Sequence, residues 1–176
     1  MKNFLSTLLI LTLFISCNKD GEDNISYVAK NEQEIKDYIA KNNIIAKRSD
    51  SGLYYVIENP GSGINPTATS NVTVAYKGYF LNKSVFDQSG PDGISFGLNQ
   101  VIAGWTEGMQ YFKPGGSGIL LIPAHLGYGN SAKGTIPGGS VLIFDVKLLC
   151  RVLIKIAINH NKIKFGCGFF TYWCIN

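Results

Sequence analysis

Apolar and polar positions alternate through residues 72–80, VTVAYKGYF, where Val72, Val74 and Tyr76 are separated by polar or small neighbours. A period of two puts those three on one face of an extended strand, turned toward a core. Residues 52–58, GLYYVIE, are rich in β-branched and aromatic side chains and are broken by NPGSG at 59–63, which predicts another strand. The period changes in VIAGWTEGMQYF (101–112). There Ile102, Trp105 and Met109 fall at i, i+3 and i+7 and predict one short helix, ended by KPGGSG. Strand patterns return in GILLIPA (118–124) and SVLIFDVKLL (140–149). Nearer the start, residues 31–43 predict a further helix: Asn31 and Glu34 form a capping-box-like beginning, and Ile35, Tyr38 and Ile39 line one face. Antiparallel strands interrupted by one short helix describe an α+β domain, whose sheet must cover that helix to make a core.

A chain of 176 residues accommodates one such domain with segments to spare at both ends, and 20 glycines with 6 prolines agree with many turns. The formal charge of +4 is unevenly spread. Arg151, Lys155, Lys162 and Lys164 follow residue 149 with no acid among them, whereas residues 17–149 hold 11 basic and 12 acidic side chains. The domain therefore has no basic stripe to neutralise phosphates, and no nucleic-acid partner is implied. Residues 18–149 contain no cysteine, so folding there needs no disulfide. Cys150, Cys167 and Cys174 match no zinc spacing, and no metal or other cofactor is expected.

The first sixteen residues read as a targeting segment. Lys2 precedes the twelve-residue apolar stretch FLSTLLILTLFI (4–15), which is too short to span a bilayer as a helix, and Ser16-Cys17 follows at once. A small residue before a cysteine at the end of such a stretch resembles a bacterial lipobox. On that resemblance Cys17 becomes the lipid-attachment site after cleavage, and each buried methylene of its acyl chains contributes ~0.8 kcal/mol to membrane anchoring. The expected location is the bacterial envelope, lipid-anchored at the outer membrane or facing the periplasm, with surface display left open. Residues 17–48 are then an acidic tether, NKDGEDN at its start, followed by the short helix, and the domain runs over 49–149. For the basic and aromatic tail, 150–176, two origins stand side by side: a lineage-specific extension packed on the domain or a membrane, or out-of-frame translation.

Five blocks in fixed order carry a family resemblance: VTVAYKGYF (72–80), VFDQSG (85–90), ISFGLNQVIAGWTEGM (94–109), LLIPAHLGYGN (120–130) and GTIPGGSVLIFDVKLL (134–149). Together they resemble the FKBP-type peptidyl-prolyl cis-trans isomerases, over roughly Ser49 to Leu149. With the lipobox, the layout is also similar to gliding-associated lipoprotein isomerases. The resemblance implies a half-open antiparallel sheet curled around the short helix, with the active pocket between them. Carried over position by position, it puts Tyr76, Phe86 and Asp87 on one wall, Val101 and Ile102 beside them, and Trp105 as a floor under the proline ring. Tyr128, Ile136 and Phe144 form the rim, and either Ile94 or Phe96 fills a further aromatic position. The catalytic set implied is Asp87, Tyr128, Ile102 and Tyr76. The Ile102 N–H and the Tyr128 hydroxyl would hold substrate carbonyls. Proline-containing polypeptides and rapamycin-like macrolides are the implied partners. The loop NSAKGT (130–135) lacks the bulky histidine that some members carry.

Taken without the family, Tyr76, Phe86 and Trp105 are equally well core aromatics, and Asp87 a turn residue before QSGPDG. A binding module without turnover is the other function compatible with the pocket. Nucleotide enzymes are excluded because GSG (61–63) and PGGSG (114–118) lack the strand–GxGxxG–helix setting. Nucleophilic hydrolases are excluded too: only two histidines exist, and neither accompanies a nucleophile motif.

Overall fold

The computed structural model describes residues 19–152, with side chains over 27–150. An open seven-stranded antiparallel sheet is its centre, formed by β1 (Lys47–Arg48), β2 (Tyr54–Asn59), β3 (Asn71–Tyr79), β4 (Val85–Gln88), β5 (Ile94–Gly97), β6 (Ser117–Ile122) and β7 (Leu142–Val152). The order is β1-β2-β6-β7-β3-β4. The long strand β7 pairs with one edge of β3 throughout, so β4 and β5 share the other edge, opposite residues 77–79 and 71–74 respectively. That sharing bends the chain between β4 and β5 over one face of the sheet, where the site lies.

Alternation along the central strands divides the apolar residues between two faces. Val72, Val74, Leu120, Ile122, Leu142, Phe144, Val146 and Leu148 turn to one side and bury Trp105 of the short helix α2 (Ala103–Gly108) and Met109 just past its end. On the other side Leu121 and Ile143 meet Ile35, Tyr38 and Ile39 of helix α1 (Lys19–Lys41). Two glycines let α2 lie close on β6. A Cβ on Gly104 would stand 2.5 Å from Ile122 Cγ2, and one on Gly108 2.7 Å from Leu120 Cδ2. Any larger residue at either position must displace the Ile122 or Leu120 side chain or lift the helix, and Trp105 with it, from the sheet.

The α+β architecture and the open antiparallel sheet agree with the sequence reading, while three boundaries differ. Helix α1 begins at Lys19, twelve residues before the expected start, and takes in the segment read as a tether. Once residues 27–41 are docked, each further residue adds one hydrogen bond to an existing helix, so polar sequence suffices to continue it. Asn31 consequently caps nothing; it lies inside the helix, fully buried. Ile102 is not helical either: its φ of −60° and ψ of 150° make it the extended residue just before α2. Strand β7 runs three residues past Leu149, with Cys150, Arg151 and Val152 opposite Thr73, Val72 and Asn71.

Glu32 ties α1 to the sheet. Its Oε1 accepts the Tyr54 hydroxyl at 2.7 Å and lies 3.1 Å from Lys36 Nζ and 3.2 Å from Arg48 Nε. Burial pushes the carboxyl's pKa up, but the bonds from Tyr54, Lys36 and Arg48 outweigh it and hold the value below the ordinary 4.5. A lowered folded-state pKa stabilises above 4.5 and is lost as pH falls through the folded value. Acid should thus loosen α1, and Glu32→Gln should flatten that part of the stability profile. Denaturant melts of both proteins between neutral and acid pH check it; identical profiles would remove Glu32 from the account.

Candidate active site

The first wall of the site is built on the β3–β4 pair. Asp87 lies opposite Gly78, and the missing side chain of Gly78 makes the space for two rings. A Cβ there would sit 2.7 Å from both Phe86 Cε2 and Phe144 Cε1. Phe86 and Phe144 instead meet edge to face at 5.4 Å and 88°. Below them Trp105, only 5 % exposed, receives three edges: Tyr76 at 5.1 Å and 86°, Phe144 at 5.1 Å and 89°, and Phe96 at 5.4 Å and 62°. Edge-to-face pairs contribute about 0.5–1.5 kcal/mol each beyond the area they bury. The result is an aromatic box in which each ring is packed against the next.

One polar pair is set into this box. The Tyr76 hydroxyl donates to Asp87 Oδ2 at 2.6 Å, a short charge-assisted bond. Burial first, then the bond to Asp87 and its charge, push the Tyr76 pKa well above the ordinary phenol range. The phenol therefore stays a donor well past neutral pH.

Two donors remain for a ligand. The Ile102 carbonyl is fully engaged, accepting from Trp105 N–H at 2.9 Å and Thr106 N–H at 3.1 Å, which fixes this peptide at the start of α2. Its own N–H has no partner among the described residues. The hydroxyl of Tyr128, a residue 40 % exposed, likewise bonds to no described side chain or backbone group. Tyr128 belongs to the loop from β6 to β7. In that loop Lys133 and Ile136 exchange backbone hydrogen bonds of 2.9 and 3.0 Å and so present Ile136 at the rim.

All ten pocket residues expected from the sequence, Tyr76, Phe86, Asp87, Phe96, Val101, Ile102, Trp105, Tyr128, Ile136 and Phe144, line one cavity of about 710 Å³. Ile94 and Phe96 line it together, so the choice between them dissolves: two apart on β5, they share a face. Gln100, Lys133, Gly134 and Thr135 also border the cavity and were missed. The alternation of Ile94 with Phe96 was readable in advance, whereas Gln100 ends a short 3-10 helix and Lys133, Gly134 and Thr135 belong to the loop before Ile136, all without a periodic signal. His125 stands apart, its Nε2 2.8 Å from the Ser51 carbonyl. No group of three or more His, Cys, Asp or Glu among the described residues could hold a metal. Cys17 lies outside the described residues, as do residues 153–176 of the tail.

Comparison with known proteins agrees with this geometry. A family model described as FKBP-type peptidyl-prolyl cis-trans isomerase matches residues 63–149. The chain is 40% identical over 124 residues to the FKBP-type peptidyl-prolyl cis-trans isomerase FkpA of Aeromonas hydrophila, covering 68% of this chain and 46% of that protein. The crystal structure of FkpA from Escherichia coli superposes with a TM-score of 0.65 at 35% identity, over 74% of this chain and 62% of the other. A peptidyl-prolyl cis-trans isomerase structure from Pseudomonas syringae pv. tomato gives a TM-score of 0.64 at 28% identity, over 73% and 95%. The chain spans about half the length of the curated relatives it matches.

Proposed function

We propose, on the premise that this chain belongs to the FKBP-type peptidyl-prolyl cis-trans isomerase family through residues 63–149, that it catalyses rotation about X-Pro bonds of exported polypeptides. The observation that carries the proposal is the cavity itself: apolar aromatic walls closed around one hydrogen-bonded carboxylate. The barrier to be lowered, ~18–20 kcal/mol, comes from amide resonance. The planar amide is the more polar form and loses more on leaving water, so a dry apolar cradle favours the twisted form near the transition state. In this reading Trp105 seats the proline ring, while the Ile102 N–H and the Tyr128 hydroxyl hold the flanking carbonyls. Asp87, bound to Tyr76, places negative charge by the twisting carbonyl carbon. No proton moves and no covalent bond forms.

The test is isomerisation of a prolyl tetrapeptide by the purified chain, with rapamycin as competitor. Acceleration that the macrolide suppresses supports the proposal. A second reading has its own support: Ile94 is 47 % exposed and Tyr128 40 %, so apolar surface continues from the cavity onto the rim, as a peptide-binding chaperone module would need. A folded chain that binds the peptide but leaves its spontaneous rate unchanged would decide for that second reading.

The envelope location is part of the same proposal, and its support is the apolar stretch 4–15 followed by Ser16-Cys17. The mature protein should begin at an acylated Cys17 and partition into detergent, and Cys17→Ser should move it to the aqueous phase. Mass spectrometry finding Cys17 unmodified in the mature protein rejects the anchor.

A further inference from the structure

The loop carrying Tyr128 and Ile136 leaves the sheet after β6 and rejoins it at β7, and one side chain of α1 holds both its ends. Asn31 Oδ1 accepts the Ala124 N–H at 2.8 Å, and Asn31 Nδ2 donates to the Gly139 carbonyl at 3.0 Å. A third bond, Nδ2 to Glu34 Oε2 at 2.9 Å, orients the amide from within the helix. Asn31 is 0 % exposed. Helix stability gives no reason for it, since asparagine in a helix interior is poorer than alanine or leucine. Its fit is to the loop, whose two backbone groups would otherwise be buried without these partners.

The loop continues the bonding inward. The Gly129 N–H donates to the Ala124 carbonyl at 2.7 Å, and the Gly139 N–H to the Gly129 carbonyl at 2.9 Å. Ala124, Gly129, Gly139 and the Asn31 amide thus close a ring of hydrogen bonds, and Tyr128 is the residue immediately before Gly129. The ring of Tyr27, one turn before Asn31, presses on the same place: a Cβ on Gly139 would collide with Tyr27 Cε1. Helix α1 is therefore seated on the base of the rim as well as on the back of the sheet.

We infer that Asn31 is a positioning residue for the isomerase reaction. By clamping both ends of the 124–139 loop it sets where the Tyr128 hydroxyl and Ile136 stand, and it makes turnover depend on a docked α1. The inference rests on the isomerase reading above. A purely structural Asn31 would change stability alone. A positioning one lowers kcat more than it raises KM, and does so through Tyr128.

The experiment measures prolyl-tetrapeptide kinetics for the full chain, Asn31→Ala, Asn31→Asp, Tyr128→Phe and the double variant Asn31→Ala with Tyr128→Phe, each checked for native circular dichroism. Asn31→Ala should lower kcat about tenfold with KM within about twofold. In the Tyr128→Phe background the further loss should stay below about twofold, because the group being positioned is gone. Asn31→Asp keeps the acceptor for Ala124 but not the donor for Gly139, and should fall between. Hydrogen exchange should quicken over 124–139 and stay slow in β3 and β7. Equal losses in both backgrounds, or unchanged kcat in the Asn31 variants, overturn the inference. Should Asn31→Ala fail to fold, Asn31→Asp and Asn31→Ser carry the same comparison. An inactive wild type would overturn the isomerase reading and this inference together; an active wild type with indifferent Asn31 variants overturns this inference alone.

Discussion

Trp105→Ala should cost the domain about 3–5 kcal/mol of stability and remove most of its affinity for a prolyl peptide. The side chain is 5 % exposed and receives the edges of Tyr76, Phe96 and Phe144, so its removal leaves a void bounded by three rings that have lost their common partner. The glycines beneath α2 hold the helix tightly on β6, which limits how far the backbone can close that void. Trp105→Phe keeps a ring in place and should recover most of the stability while enlarging the proposed seat for proline. Denaturant unfolding and peptide titration on the three proteins test the point. An alanine variant as stable and as avid as the wild type would show that Trp105 is neither the floor of the cavity nor its structural centre.

Asp87→Val should act on turnover instead. Substitution by a smaller apolar residue removes the charged acceptor 2.6 Å from the Tyr76 hydroxyl and leaves the aromatic walls standing. A hydrogen bond to a charged group contributes about 1.5–3 kcal/mol, so kcat should fall roughly ten- to a hundredfold with KM changed little. The pH profile separates this chemistry from proton transfer. No histidine lines the cavity, and burial with the Asp87 bond holds the Tyr76 phenol protonated far above neutrality. The wild-type rate should accordingly be flat between about pH 6 and 8, where a histidine acid or base would titrate. A bell-shaped profile in that range would contradict catalysis by desolvation.

Chain-local chemistry made much of this protein legible. Period-two alternation in 72–80 announced β3, because a strand with one buried face must repeat every second residue. The change of period at Trp105 and Met109 announced α2. Ten cavity-lining residues could be named in advance because the five blocks, in their order and spacing, carry a resemblance to the FKBP family that implies them. Helix α1 was legible only on its apolar stripe, Ile35, Tyr38 and Ile39, and its polar first turns carried no periodic mark.

What the sequence determined by itself is which residues are apolar, which face of each element they occupy, and hence the α+β class; the ten cavity residues came from the family resemblance that its motif order carries. Its information is periodic and local, and burial follows period. Tertiary structure alone decided the roles of single polar side chains and of the turns. Asn31 reads as a helix cap by spacing, yet folding brings it to Ala124 and Gly139, 93 and 108 residues away, where its amide is worth more as a clamp. Gln100 reaches the cavity from a short 3-10 helix and Lys133 from a loop bridged to Ile136, and Gly78 is required because two rings from β4 and β7 converge over it. Such contacts depend on distance in space between residues remote in the chain, and no local pattern encodes that distance.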